Sequence, residues 1–183
     1  FSNENRNTLI ENHHKFLFVR GNELSAYYED LQQRVNDSIF TQPLPNSSKA
    51  NILYKSSIQI MKHVFDSPTH ESLKIAEQSV KTAVDFILQE PSAISHLINI
   101  TEHDYYTYTH SVNVGVYSLS LSNIFFGNNS NVDYYKLGMG FFFHDLGKSK
   151  IDLAILNKKG KLTDDEWKIM KRHPKYSYDL LIE

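Results

Sequence analysis

The chain of 183 residues contains no cysteine. That absence excludes disulfides, thiolate zinc sites and cysteine nucleophiles, and it fits a reducing compartment, read here as the cytoplasm. Charge of one sign is also missing: 19 Lys and Arg stand against 21 Asp and Glu, for a net charge of −2. No global basic field draws the protein onto a nucleic acid polymer or an anionic lipid surface, so a phosphate-bearing ligand needs a local cationic site or a metal. The longest apolar runs, such as Met139 to Phe143, are far too short to span a bilayer, and no signal peptide is visible.

What is present suits one ordinary domain, or a small domain plus a fragment. Apolar residues make up 40% of the chain, enough for a core, and the aromatic share of 13% rests on 11 Tyr and 11 Phe against a single Trp. The chain begins at Phe1 and stops at Leu180-Leu181-Ile182-Glu183, inside a helical pattern. It therefore reads as a piece of a longer protein.

Lys15 to Arg20 reads as a short strand closed by Gly21-Asn22. Glu23 to Asn36 reads as a helix with Leu24, Tyr27, Tyr28, Leu31 and Val35 on one face. Strand then helix gives residues 1–45 the look of the tail of an upstream regulatory or sensory domain. Thr41 to Ser48, with two prolines, is the candidate linker. The pattern predicts helices over Lys49 to Phe65 and from Ser67-Pro68, with Ser67 as N-cap, to Pro91. These become connecting helices over residues 46–91. Residues 92–183 read as helices and short loops. Helices are predicted over His110 to Phe126 and Asp133 to about Phe143, where Gly138 and Gly140 leave room for a close neighbour. Thr163 with Glu166 forms a capping box, and Pro174 ends the following helix near His173.

There are nine histidines. His13, His14, His63, His70, His96 and His103 lie in contexts that suit surface or capping roles. His110, His144 and His173 differ, because each falls in a helix or at a helix end. The run Phe141-Phe142-Phe143 carries His144-Asp145 straight out of a buried helix. A buried imidazole beside a buried carboxylate is costly unless it is paired or metal-bound. Neutral imidazole suits iron, zinc, nickel or manganese, and a carboxylate has two oxygens with which to bridge two metals about 3.5–4 Å apart. Lys148 follows about one turn later, where its ammonium can hold a phosphate oxygen, and Gly147 permits a close backbone approach. Taken alone, a His-Asp pair at a helix end is more often a hydrogen-bonded cap.

The ordered set is more specific. It runs Asp104-Tyr105-Tyr106-Thr107-Tyr108-Thr109-His110-Ser111-Val112-Asn113-Val114, then His144-Asp145-Leu146-Gly147-Lys148, then Ile151 to Lys158, Gly160-Lys161-Leu162-Thr163, Glu166-Trp167 and Met170-Lys171-Arg172-His173-Pro174. Over roughly the last eighty residues this resembles the HD-GYP family of bacterial cyclic-dinucleotide phosphodiesterases, itself a branch of the HD-type metal-dependent phosphohydrolases.

The resemblance implies a mainly α HD-domain helical bundle, here preceded by the small α/β remnant and linker helices. It implies His110, His144, Asp145 and His173 as metal ligands, with Asp145 bridging, and Lys148 as the contact to substrate phosphate; Asp145 and Lys148 are then the catalytic pair. Cofactors would be two or more divalent metals, iron or manganese. Asp104 and Thr107 would position the helix that carries His110, by N-terminal hydrogen bonding and the helix dipole. The expected reaction is hydrolysis of cyclic di-GMP or a related cyclic dinucleotide in bacterial signalling. The implied partners are that substrate and a homodimer or signalling proteins, with no nucleic acid polymer. The chain departs from the family at Ile151-Asp152, where an Ile-Pro is usual. It also lacks the family's second half: a double His followed by Glu, the Gly-Tyr-Pro segment and a final Asp. The enzyme expectation therefore belongs to the full-length protein, since residues 92–183 end before the second metal's ligands. Two other readings share the first ligands: another HD-domain nucleotide phosphohydrolase, and a non-catalytic nucleotide- or partner-binding module.

Overall fold

The computed structural model describes residues 3–182 apart from 14, 15, 17, 102–105, 128 and 130. Its regular elements are α1 (Asn3–Glu11), α2 (Leu24–Phe40), α3 (Asn46–Asp66), α4 (His70–Gln89), α5 (Ala93–Ile100), α6 (Thr107–Phe126) and α7 (Tyr134–Phe143), followed by a 3₁₀ turn (Leu146–Lys150), α8 (Leu153–Leu156), α9 (Asp164–Met170) and α10 (His173–Ile182). A further 3₁₀ turn, Gly21–Glu23, precedes α2. The fold is a helical bundle, as expected.

The predicted α/β remnant is corrected. Phe16 and Phe18 to Arg20 form no strand, while Lys15 and Leu17 lie outside the described residues. No strand among the described residues stands beside this segment, and a strand without a partner leaves its backbone donors and acceptors unpaired. Phe16 and Phe18 are accordingly exposed. The proline-rich segment is shorter than expected, because Asn46 already opens α3.

α3 and α4 pack against each other, and both pack against α6, while α7 lies on α4 and α6. Leu53, Tyr54, Ile60, Met61 and Val64 of α3 meet Ile75, Val80, Val84, Phe86 and Ile87 of α4 in one buried cluster. Val112, Val116 and Leu119 of α6 and Phe142 and Phe143 of α7 complete it. Each buried aromatic or aliphatic side chain of this kind contributes roughly 1.5–3 kcal/mol. The start of α4 differs from expectation. Thr69, not Ser67, is the N-cap, in a reciprocal capping box with Ser72. A hydroxyl at Thr69 satisfies the orphan amide of Ser72, so the helix begins after Pro68 and not at it.

Two glycines set the inter-helix distances that matter for the site. A Cβ on Gly115 of α6 would clash with the Phe142 ring, 2.3 Å from its nearest atoms, and one on Gly138 of α7 would meet Val84 and Val80 of α4. Gly140 differs from expectation, since a Cβ there meets nothing within 4 Å. Its position faces solvent, on the side of α7 roughly opposite the packed Gly138.

Candidate metal centre

α7 ends where its apolar run ends. Phe142 and Phe143 are each 1% exposed and anchor the helix in the core. Asp145 then takes φ −104° and ψ 1°, a conformation in the sparsely populated bridge region, and the chain tightens into the 3₁₀ turn. The result brings His144, Asp145 and Lys148 together at the mouth of the bundle. His110 comes from the first turn of α6, and His173 from the first residue of α10. Pro174 behaves differently from expectation: it ends nothing, but sits in the first turn of α10, where its missing N–H costs no hydrogen bond. α9 stops at Met170, after the predicted Thr163–Glu166 capping box.

All the side chains proposed as ligands converge on one carboxylate. Asp145 is 4% exposed. Its Oδ2 lies 3.3 Å from His144 Nε2, 3.8 Å from His110 Nε2 and 2.7 Å from Lys148 Nζ. Its Oδ1 lies 3.3 Å from His173 Nε2. One donor atom each from His110, His144 and Asp145 fits within a sphere where all lie within 4.8 Å of one another, as metal coordination requires. His110 and His144 meet edge to face, with ring centroids 5.4 Å apart.

The second nitrogen of two rings decides what their first can do. His144 Nδ1 lies 2.8 Å from the Phe141 carbonyl and His173 Nδ1 lies 2.8 Å from the Met170 carbonyl. A carbonyl only accepts, so both Nδ1 atoms carry the proton and donate. In the neutral ring the Nε2 lone pair then points at a carboxylate oxygen, acceptor against acceptor, at 3.3 Å. That contact is repulsive unless a cation lies between the atoms or the ring takes a second proton. Backbone carbonyls that fix the tautomer in this way are the usual support for metal-ligating histidine. The donor set fits a divalent transition metal: imidazole nitrogen plus carboxylate oxygen, with no sulfur.

The electrostatics agree. Burial alone pushes the Asp145 carboxyl up, but hydrogen bonds from His144 and Lys148 and the Lys148 charge outweigh it and hold the group well below the usual carboxylate range. The same hydrogen bond, donated by His144 to Asp145, raises His144, against the opposing effect of its own burial. In the absence of a metal, protons and Lys148 supply the positive charge that this carboxylate needs.

Some expected features fall elsewhere. Asp104 and His103 lie outside the described residues. Thr107 is the first residue of α6, but the N-cap, Tyr106, makes no side-chain cap hydrogen bond. His63 stacks on Tyr28 at 4.3 Å, away from the cluster. One residue that the sequence reading passed over belongs to the site's framework. The buried Ser177 hydroxyl accepts from Gly147 N–H at 2.7 Å and donates to the His144 carbonyl at 3.1 Å. Its signal was present, since it stands four positions after His173 on the same face of a helix.

Comparison with known proteins fits this geometry. Residues 107–183 match the family described as HD domain. A stretch of 97 residues is 34% identical to a cyclic di-GMP phosphodiesterase of Pseudomonas aeruginosa, covering 53% of this chain and 23% of that protein. A stretch of 38 residues is 55% identical to a cyclic di-GMP phosphodiesterase response regulator of Xanthomonas campestris pv. campestris, covering 21% of this chain and 10% of that protein. A 3'3'-cGAMP-specific phosphodiesterase of Vibrio cholerae is 30% identical over 105 residues, 57% of this chain and 20% of its own length. The chain thus spans less than a quarter of the curated relatives it matches. Among solved structures, an HDG"Y"P protein from Bdellovibrio bacteriovorus superposes with a TM-score of 0.61 at 20% identity, over 90% of this chain and 54% of that one, which supports the helical HD fold. No helix among the described residues is long and apolar enough to cross a membrane.

Proposed function

We propose that this chain is the ligand-bearing first part of a metal-dependent phosphodiesterase that hydrolyses cyclic di-GMP or a related cyclic dinucleotide, acting in cytoplasmic bacterial signalling. The observation that carries the reading is the pair of Nε2 atoms, from His144 and His173, set on opposite oxygens of one buried carboxylate, with both Nδ1 atoms committed to backbone carbonyls. The printed activities of the curated relatives supply the substrate class.

On this reading His110, His144, Asp145 and His173 would hold the metal, with His110 and His144 beside Oδ2 of Asp145 and His173 beside its Oδ1. Divalent metals held there, iron or manganese, would supply an activated water nucleophile and neutralise charge on the phosphoryl group. The fixed Nδ1–H donors orient the rings, so that no reorganisation is needed at the moment of reaction. Lys148 now rests on Asp145. Its ammonium would hold a non-bridging phosphate oxygen of the substrate as a point charge. Residues 92–183 form the catalytic part in this proposal, residues 46–91 connect and support it, and residues 1–45 are the tail of a regulatory or sensory unit. Catalysis belongs to the full-length protein.

The test has two arms. Metal content of anaerobically purified protein is measured for the wild type and for His144→Ala. Stoichiometric iron or manganese is expected in the first and its loss in the second. The complete protein, loaded with either metal, is then given cyclic di-GMP and 3'3'-cGAMP. Metal retained by His144→Ala, or both dinucleotides left intact, overturns the proposal.

A further inference from the structure

The site is split between two elements that the chain does not fix to one another by sequence proximity. His144, Asp145 and Lys148 lie on the end of α7 and the 3₁₀ turn, whereas His173 arrives on α10 after a long excursion through α8 and α9. Something must set the register of α10 on the turn. A helix that slides by one turn moves each side chain about 5.4 Å along its axis, far more than the 3.3 Å that separates His173 Nε2 from Asp145.

The contact between the two elements is nearly bare backbone. A Cβ on Gly147 would collide with the His173 carbonyl oxygen and with the Tyr176 side chain. At this approach one side chain spans the gap. Ser177 is 5% exposed, accepts from the Gly147 amide and donates to the His144 carbonyl. A hydroxyl has one proton to give, and Ser177 uses it on one of the turn's backbone groups while accepting from the other. The His144 carbonyl sits at the C-terminal cap of α7 and the Gly147 amide at the start of the 3₁₀ turn, positions where backbone groups lack partners within their own helix. The same helical face carries His173 four residues earlier.

We infer that Ser177 is a positioning residue of the metal centre: by bridging the His144 carbonyl and the Gly147 amide, it locks the register of α10 and so holds His173 Nε2 on Asp145 Oδ1. The inference rests on the proposed metal site and extends it to a residue that touches no metal. Ser177 acts by holding α10, and with it His173, against the turn that carries His144 and Asp145.

The experiment uses the complete protein with manganese(II) alone as probe, reading the dissociation constant from the electron paramagnetic resonance signal of the free ion, together with the melting temperature. Ser177→Ala is expected to weaken binding by about 10–100-fold, the usual cost of removing a group that supports a metal ligand. Ser177→Cys, which retains a weak donor and acceptor, is expected to give a smaller loss. Ser79→Ala provides the control for mere stability. It removes a buried hydroxyl that faces Ser57 between α4 and α3, and it should lower the melting temperature without changing the manganese affinity. Acting through His173 has its own signature. In a His173→Ala background, Ser177→Ala should produce no further loss, because the two changes share one consequence. Binding by Ser177→Ala within about threefold of the wild type, or an equal loss in the His173→Ala background, overturns the inference while leaving the metal centre standing. Failure of the wild type itself to bind manganese overturns both.

Discussion

Adding one methyl group to Gly147 should disturb both the fold and the metal centre, by amounts that follow from the contacts. Gly147→Ala drives a Cβ into the backbone of α10 at His173 and Ser177. These are main-chain atoms of a packed helix, so the strain cannot be relieved by a rotamer change, and overpacking of this kind costs about 1–3 kcal/mol. The Gly147 amide would also lose its 2.7 Å bond to Ser177, worth about 0.5–1.5 kcal/mol. Lower entropy of the unfolded chain returns about 0.4–1 kcal/mol. The terms sum to a loss of about 0.5–4 kcal/mol, and their mid-values to about 2 kcal/mol, which for a chain of this size lowers the melting temperature by about 4–8 °C.

The metal response should fall as well, since α10 carries His173. At a manganese concentration of 100 times the wild-type dissociation constant, binding stabilises the wild type by about 2.7 kcal/mol, whereas a variant that binds about 30-fold more weakly gains only about 0.9 kcal/mol. Calorimetric melts with and without manganese read both effects. Gly140→Ala is the matched control: it adds the same methyl where nothing lies within 4 Å, inside α7, and should leave stability unchanged or raise it by up to about 1 kcal/mol. A metal-free Gly147→Ala protein that melts within 1 °C of the wild type, or a Gly140→Ala protein that is the less stable of the two variants, would refute the packing argument.

Two further outcomes follow from the same structure. Gly115→Ala drives a methyl against the Phe142 ring and should destabilise by about 1–3 kcal/mol; pairing it with Phe142→Leu should recover part of that loss, and denaturant titration of the single and double variants measures it. The pH dependence of the metal-free protein has a defined sign. The depressed Asp145 value gives stability that is present above its unfolded value of about 3.9 and is lost as pH falls through the folded one, while the raised His144 value gives stability that is present below about 6.5 and is lost as pH rises through the folded one. Metal-free melts should therefore be highest between about pH 4 and 6.5, and manganese, which requires deprotonated ligands, should move the maximum upward. Identical pH profiles with chelator and with manganese would count against a metal centre at these residues.

Much of this protein is written in its sequence. The helices follow from apolar periodicity and from caps that act locally: Asp133 accepts from the Lys136 amide, and Thr163 and Glu166 close their capping box. His144 and Asp145 stood out because a buried imidazole beside a buried carboxylate needs a partner, whereas His110, Lys148 and His173 joined them as what the resemblance to the HD-GYP family implies. Tertiary structure decided what those local signals cannot carry. The segment around Phe16 and Phe18 has strand-like composition, but a strand exists only with a neighbour to pair with, and none of the described residues provides one. Gly138 and Gly140 look alike in sequence, yet only Gly138 meets another helix, because which side of α7 is packed depends on where α4 lies. The opposition of His144 and His173 across one carboxylate, and the single hydroxyl of Ser177 that joins their two elements, exist only once α10 has docked on the turn. A sequence lists the groups that can meet; the packing of backbone against backbone at Gly147 fixes which of them do, and at what distance.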